Sequence, residues 1–361
     1  MKIKPNAGIM DIAAYVGGES KAEGAARIIK LSSNENPFGA NPKALEALSR
    51  DLHLEKYPDG DWPELRKAIA KKHNFPENRV FCGAGSDEIL GLLCKAYLST
   101  GDEVIYGTHA FLMYSIFSKA CGAKPVETPE IDLVPDLDAM LAAVTPKTKI
   151  VFLTNPNNPT GSFNPPADIK AFREKLRGDI LLVLDDAYAE YAAASKGYEN
   201  GYALAKDRDD TVVLRTFSKI YGLAGLRIGY AYAPAEITDV LNRIRAPFNV
   251  SIPAQIAGVA ALNDDAFIER SVTHNTQWRA WTKTELEKMG MKVWPSAANF
   301  LLVSFKDAQS AEACRLHLKS KGILVRQMGA YKLPESLRIS IGTGEEMELA
   351  CAAIKEYLET R

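Results

Sequence analysis

The sequence predicts an α/β protein: a mostly parallel sheet with helices on both faces, joined to a smaller α+β unit. From about residue 79, short apolar runs alternate with helix-like segments, the pattern of a parallel sheet wrapped by helices. Runs such as KIVFLTN (149–155) and ILLVLDDAY (180–188) are apolar throughout rather than at every second position, as strands covered on both faces are. After about residue 264 the texture changes to one long helix followed by strands of a separate unit.

Taken in order, the first 40 residues have little periodicity and several Pro, Gly and Asn, and are expected to drape over the rest and join the smaller domain. RVFCG (79–83) reads as a strand and SDEILGLLCKAYLS (86–99) as the helix after it. EVIYG (103–107), the two runs above, TVVLRTFS (211–218) and RIGYAYA (227–233) read as further strands. Residues 265–290 form one long helical pattern. NFLLVSF, GILVR and SLRISIG follow as strands, and the segment 345–360 closes the chain as a helix. The expected division is a large domain of residues 41–264 and a small domain of residues 1–40 and 265–361.

A chain of 361 residues with formal net charge −1 offers no electrostatic case for nucleic acid or an anionic membrane surface. No apolar run reaches the roughly 18–20 residues of a membrane span, and the first residues lack the apolar core of a signal peptide. The five cysteines are odd in number and form no C-x-x-C pair, so reduced thiols in a cytoplasmic protein are expected. The five histidines show no H-x-x-x-H or H-E-x-x-H spacing, so no metal site is expected.

In parallel sheets ligands sit beyond the carboxyl ends of the strands. The polar residues there are Asn158 in NPNNPTG, Asp185, Asp186 and Tyr188 in LDDAYAEY, and Ser218 and Lys219 in RTFSK, while Gly85 and Ser86 open a helix. Singly, each is as well explained by a turn, a helix cap or a solvated charge. Together they suit one ligand. A helix N-terminus with Ser218 and Arg227 makes an anion site. A carboxylate on a buried strand holds a protonated ring nitrogen, an amide and a phenol bond a phenolate, and an amine meets an aldehyde. Those are the handles of pyridoxal 5′-phosphate (PLP). Asp185 is preferred to Asp186 because successive strand side chains point to opposite faces.

The motifs N-P-T-G, D-x-A-Y and S-K-x-x-G-L-x-G-x-R, in that order, resemble the fold-type I PLP-dependent aminotransferases of class I/II. With LSSNENPFG, YPDG, GAGSDEI, PFNVS and LRISIGT, the resemblance narrows to the histidinol-phosphate branch, an aromatic amino acid aminotransferase being the alternative. The resemblance implies that Lys219 is the Schiff-base lysine and proton shuttle, and that Asp185 is the pyridinium partner. Tyr188 and Asn158 would bond the ring hydroxyl. Ser218, Arg227, Gly85 and Ser86 would hold the phosphate, and Phe111 would stack on the ring. Arg338, helped by Arg326, would bind the substrate anion, with Tyr15 and Asn34–Asn36 as contacts from the N-terminal segment. Tyr57 would reach the cofactor phosphate of a neighbouring subunit in a homodimer. The small-molecule substrates implied are an amino donor and a 2-oxo acid.

Overall fold

The computed structural model describes residues 3–6, 8–22, 24 and 27–360. Its strands, in chain order, are β1 (Ile29–Leu31), β2 (Val80–Gly83), β3 (Glu103–Gly107), β4 (Lys124–Thr128), the short pair β5 (Glu130–Ile131) and β6 (Val134–Pro135), β7 (Thr148–Thr154), β8 (Leu181–Asp185), β9 (Thr211–Thr216), β10 (Gly229–Tyr232), β11 (Lys292–Val293), β12 (Phe300–Ser304), β13 (Ile323–Gln327) and β14 (Ser336–Ser340).

Seven strands form the larger sheet in the order β2-β10-β9-β8-β7-β3-β4. The run β9-β8-β7-β3-β4 is parallel, and β10 runs antiparallel to both its neighbours. Nearly every residue of β7, β8 and β9 is buried, which explains their unbroken Val, Ile and Leu content. By contrast β4 (KPVET) lies at the edge. Its Lys, Pro and Glu suit an exposed border, and its sequence carries no strand signal strong enough to be read beforehand.

One expected strand is shorter than read. RIGYAYA begins its strand only at Gly229, because Arg227 is left-handed at φ 50° and belongs to the preceding bend. That turn swings the guanidinium out of the sheet and towards the strand ends.

The smaller sheet has the order β1-β13-β14-β12-β11, with β1 parallel to β13 and the other pairs antiparallel. The N-terminal segment reaches this sheet through β1, which pairs with β13. Helices Ala308–Ser320 and Gly344–Glu359 pack on it through Ala311, Cys314, Leu318, Met347, Ala350 and Ile354. Thr343 and Glu346 start the second of these as a reciprocal capping box.

The 24-residue helix Asp265–Lys288 belongs to both cores. Ile268 and Val272 pack against the core of the larger sheet, whereas Trp278, Trp281 and Leu286 pack into that of the smaller one. Among the described residues, no helix is long and apolar enough to cross a membrane.

Candidate active site

The three central strands end level with one another. Thr154 on β7 is in register with Asp185 on β8, and Asp185 with Leu214 on β9. A cleft of about 240 Å³ opens at these carboxyl ends, between the two sheets.

Lys219 enters the cleft from the loop after β9. The loop turns at Gly222, where φ is 68° and a Cβ would lie 2.2 Å from the Gly39 carbonyl oxygen, so only glycine fits. Lys219 Nζ donates to the Ser33 carbonyl at 3.1 Å and sits 5.7 Å from the centre of the Tyr188 ring. Burial, then the nearby Arg338 charge, lowers its pKa to about 8, against an opposing pull from Glu35 and Asp87.

Asp185 is buried at the end of β8. Its carboxylate accepts from the Tyr114 hydroxyl at 2.9 Å and from the Ala187 N–H at 3.3 Å. The Tyr114 oxygen is also 2.6 Å from Thr154 Oγ1. Burial raises the Asp185 pKa to about 6, and the Tyr114 hydrogen bond restrains the rise. Asp186 points to the other side, where its Oδ2 accepts from the Gly201 N–H at 2.7 Å and borders a separate cavity. The strand alternation thus separates the two carboxylates.

Tyr188 follows in the same turn. Its hydroxyl accepts from Asn34 Nδ2 at 3.0 Å, and Asn34 is held by Ser340 at 2.8 Å through both its backbone N–H and its side-chain oxygen. Asn158 accepts from Arg338 Nη1. Arg338, on β14, also donates to the Ser32 carbonyl at 3.1 Å and keeps a buried Nε with no partner. Arg326 shares the cleft and donates to the Val16 carbonyl at 2.6 Å, with Tyr15 beside it at 5.9 Å from its guanidinium carbon. Asn36 turns away: it donates to the Ile220 carbonyl and to Ser271, so it tethers the lysine loop and does not reach the cleft.

At the opposite end lies a cationic cradle. Gly85, at φ 85° and ψ 164°, precedes the helix Ser86–Tyr97. Arg227 Nη1 donates to Ser218 Oγ at 3.3 Å and Nη2 to Asp87 Oδ2 at 3.1 Å. A Cβ on Gly85 would lie 2.4 Å from Arg227 Nη2, so the missing side chain leaves room for the guanidinium. Helix N–H groups, a hydroxyl and a guanidinium gathered here are the kind of donors that suit an anion. Phe111 lines the cleft and meets Tyr114 edge-on at 5.9 Å.

Of the residues expected from sequence, Tyr57 lies outside this cleft, as Asn36 does. Tyr57 is 81% exposed and stacked on Phe248 at 4.6 Å. The residues sequence reasoning missed are Tyr114, Asp87 and the Ser33 carbonyl. Tyr114 stands three positions after Phe111, in the helix Met113–Ala120 that follows it, which was the available hint.

The donor set fits PLP: an anion cradle, a buried carboxylate, a phenol with an amide, and one amine between them. Residues 26–354 match the family model for aminotransferase class I and II. A histidinol-phosphate aminotransferase of Paramagnetospirillum magneticum is 53% identical over 98% of both chains, and one of Rhodospirillum rubrum is 48% identical over 98% of this chain and 97% of that protein. The crystal structure of the histidinol-phosphate aminotransferase of Sinorhizobium meliloti in complex with pyridoxal-5′-phosphate superposes with a TM-score of 0.90 at 30% identity, covering 98% of this chain and 97% of that one. The chain belongs to the class I and II aminotransferase family, beside its histidinol-phosphate aminotransferases.

Proposed function

We propose that this chain is a PLP-dependent aminotransferase that takes the amino group of L-histidinol phosphate to 2-oxoglutarate, giving imidazole acetol phosphate and L-glutamate in histidine biosynthesis. The observation that carries this reading is one amine, Lys219, set between an anion cradle, a buried carboxylate and a buried arginine.

Gly85, Ser86, Ser218 and Arg227 would hold the cofactor phosphate, Asp185 its ring nitrogen, Asn158 and Tyr188 its ring oxygen, and Phe111 its face, with Lys219 as the covalent tether. When bound, PLP supplies an electron sink for the pair released as the substrate C–H bond breaks. Asp185, as an anion, would keep the ring nitrogen protonated. Lys219, with a pKa near 8, has a usable neutral fraction at physiological pH. Its Nζ takes the proton from the substrate α-carbon and returns it on the other side of the transfer.

Arg338 binds the substrate anion, with Arg326, Tyr15 and Asn34 alongside. A guanidinium fork suits carboxylate and phosphate alike, so one pocket serves glutamate in one half-reaction and a phosphate ester in the other. Its orphan Nε is a donor ready for such an anion. We read the exposed Tyr57–Phe248 pair as a partner-subunit contribution, so the complete site is that of a homodimer, in the cytoplasm. Residues 41–264 serve as the cofactor-binding domain, and residues 1–40 with 265–361 as the small domain.

The test is steady-state kinetics with histidinol phosphate and phenylalanine as rival donors. A larger kcat/KM for phenylalanine would sink the substrate assignment in favour of an aromatic aminotransferase.

A further inference from the structure

His109 and Glu130 lie behind the cleft and have no role in the chemistry above. Glu130 opens β5, and His109 stands two residues before Phe111. Glu130 Oε1 accepts from the His109 backbone N–H at 3.0 Å. The other oxygen, Oε2, is 3.9 Å from His109 Nδ1, with the two side chains 3% and 15% exposed. Oε2 and both imidazole nitrogens are buried without a hydrogen-bond partner. Buried polar atoms are nearly always paired, so three orphans at one spot mark a place where a small ring rotation completes a contact.

The location gives that contact leverage. The His109 carbonyl accepts from Asn157 Nδ2 at 3.3 Å, and Asn157 is bound to Thr160 Oγ1 at 3.0 Å. Asn157 adjoins Asn158, the partner of Arg338. Gly107 leaves room for the carboxylate, since a Cβ there would lie 2.7 Å from Glu130 Oε1. The charged groups facing His109 are Lys332 and Glu127, which pair with each other, and Glu335.

We propose that His109 and Glu130 form a proton-sharing latch that positions the Phe111 turn and the Asn157–Asn158 turn against the cofactor. This rests on the PLP reading above. Burial raises the Glu130 carboxyl to about 7, while burial and Lys332 lower His109, so one proton serves the pair near neutral pH. With the proton between them, the ring and the carboxylate are drawn together. With it lost, the carboxyl can no longer donate and the ring must turn its own N–H towards Oε2, so the contact persists only with the other tautomer and a different ring setting. Both residues are positioning residues, because they act through Phe111 and Asn158.

The test uses the PLP-loaded protein and Glu130→Gln, which keeps the acceptor for the His109 N–H but cannot titrate. The first measurement is the ring-proton NMR titration of the five histidines, with His109→Gln assigning the resonance. The second is the rate of PLP release followed by visible absorbance between about pH 6 and 8. Glu130→Gln is expected to move the His109 titration, and its release rate relative to the parent should change by about fivefold or more across that window. A purely structural role would lower thermal stability and leave that ratio flat. An unmoved His109 titration with a ratio constant within about twofold overturns the latch alone. Failure of the unsubstituted protein to hold PLP overturns the parent reading and the latch with it.

Discussion

Gly85→Ala isolates the cradle with a single methyl group. The backbone at φ 85° and ψ 164° lies in a region essentially reserved for glycine, at a cost of about 1–3 kcal/mol for any other residue. The new Cβ would also lie 2.4 Å from Arg227 Nη2. The arginine must swing aside and leave Ser218 and Asp87, which it now meets at 3.3 and 3.1 Å. A lost hydrogen bond to a charged group costs about 1.5–3 kcal/mol, which corresponds to roughly 10- to 150-fold weaker PLP binding. Equilibrium titration of the cofactor-free protein with PLP, followed by absorbance, reads this directly. In an Arg227→Met background the same substitution should add no more than about threefold, because the shared partner is already gone. PLP affinity within about threefold of the parent, or full additivity in the double variant, would refute the reasoning.

Other substitutions test the remaining parts. Lys219→Ala should abolish turnover, checked by following 2-oxoglutarate-dependent product formation; retained transamination would remove Lys219 from its role. Tyr114→Phe removes a hydrogen bond that stabilises the charged Asp185, so the Asp185 pKa rises above about 6 and the acid limb of the kcat profile moves to higher pH. Arg338→Met removes a repelling charge, so the Lys219 pKa rises from about 8 and its acylation in the cofactor-free protein, measured by peptide mass spectrometry, begins at higher pH. Asp186 has a folded pKa of about 7, above its ordinary 3.8, so its ionisation takes stability away as pH rises through that interval. Asp186→Asn keeps an acceptor for Gly201 and should flatten that fall in thermal denaturation curves.

The central strands and the lysine loop were legible because doubly covered strands leave unbroken apolar runs and because strand ends carry the polar residues. Strand alternation, with the D-x-A-Y pattern, is what set Asp185 apart from Asp186 in the sequence. The edge strand β4 was not legible, since an exposed border is built from Lys, Pro and Glu, residues that signal loops as readily. Arg227 was read into a strand because left-handed backbone leaves no mark in an arginine. Tyr114 escaped because its partner, Asp185, lies 71 residues away and no local pattern links them. The His109–Glu130 contact, between two short segments 21 residues apart, was invisible for the same reason.

The helix Asp265–Lys288 also sets a rule for how this chain can vary. It is a single screw threaded through two cores, gripped by Ile268 and Val272 at one end and by Trp278 and Trp281 at the other. Substituting a side chain along it changes a local fit. Inserting or deleting one residue between Val272 and Trp278 instead turns the far end by about 100° and shifts it by about 1.5 Å. The smaller sheet would then be out of phase with the larger one, and Arg338 could no longer face Asn158. This stretch is therefore expected to tolerate many spellings and only one length.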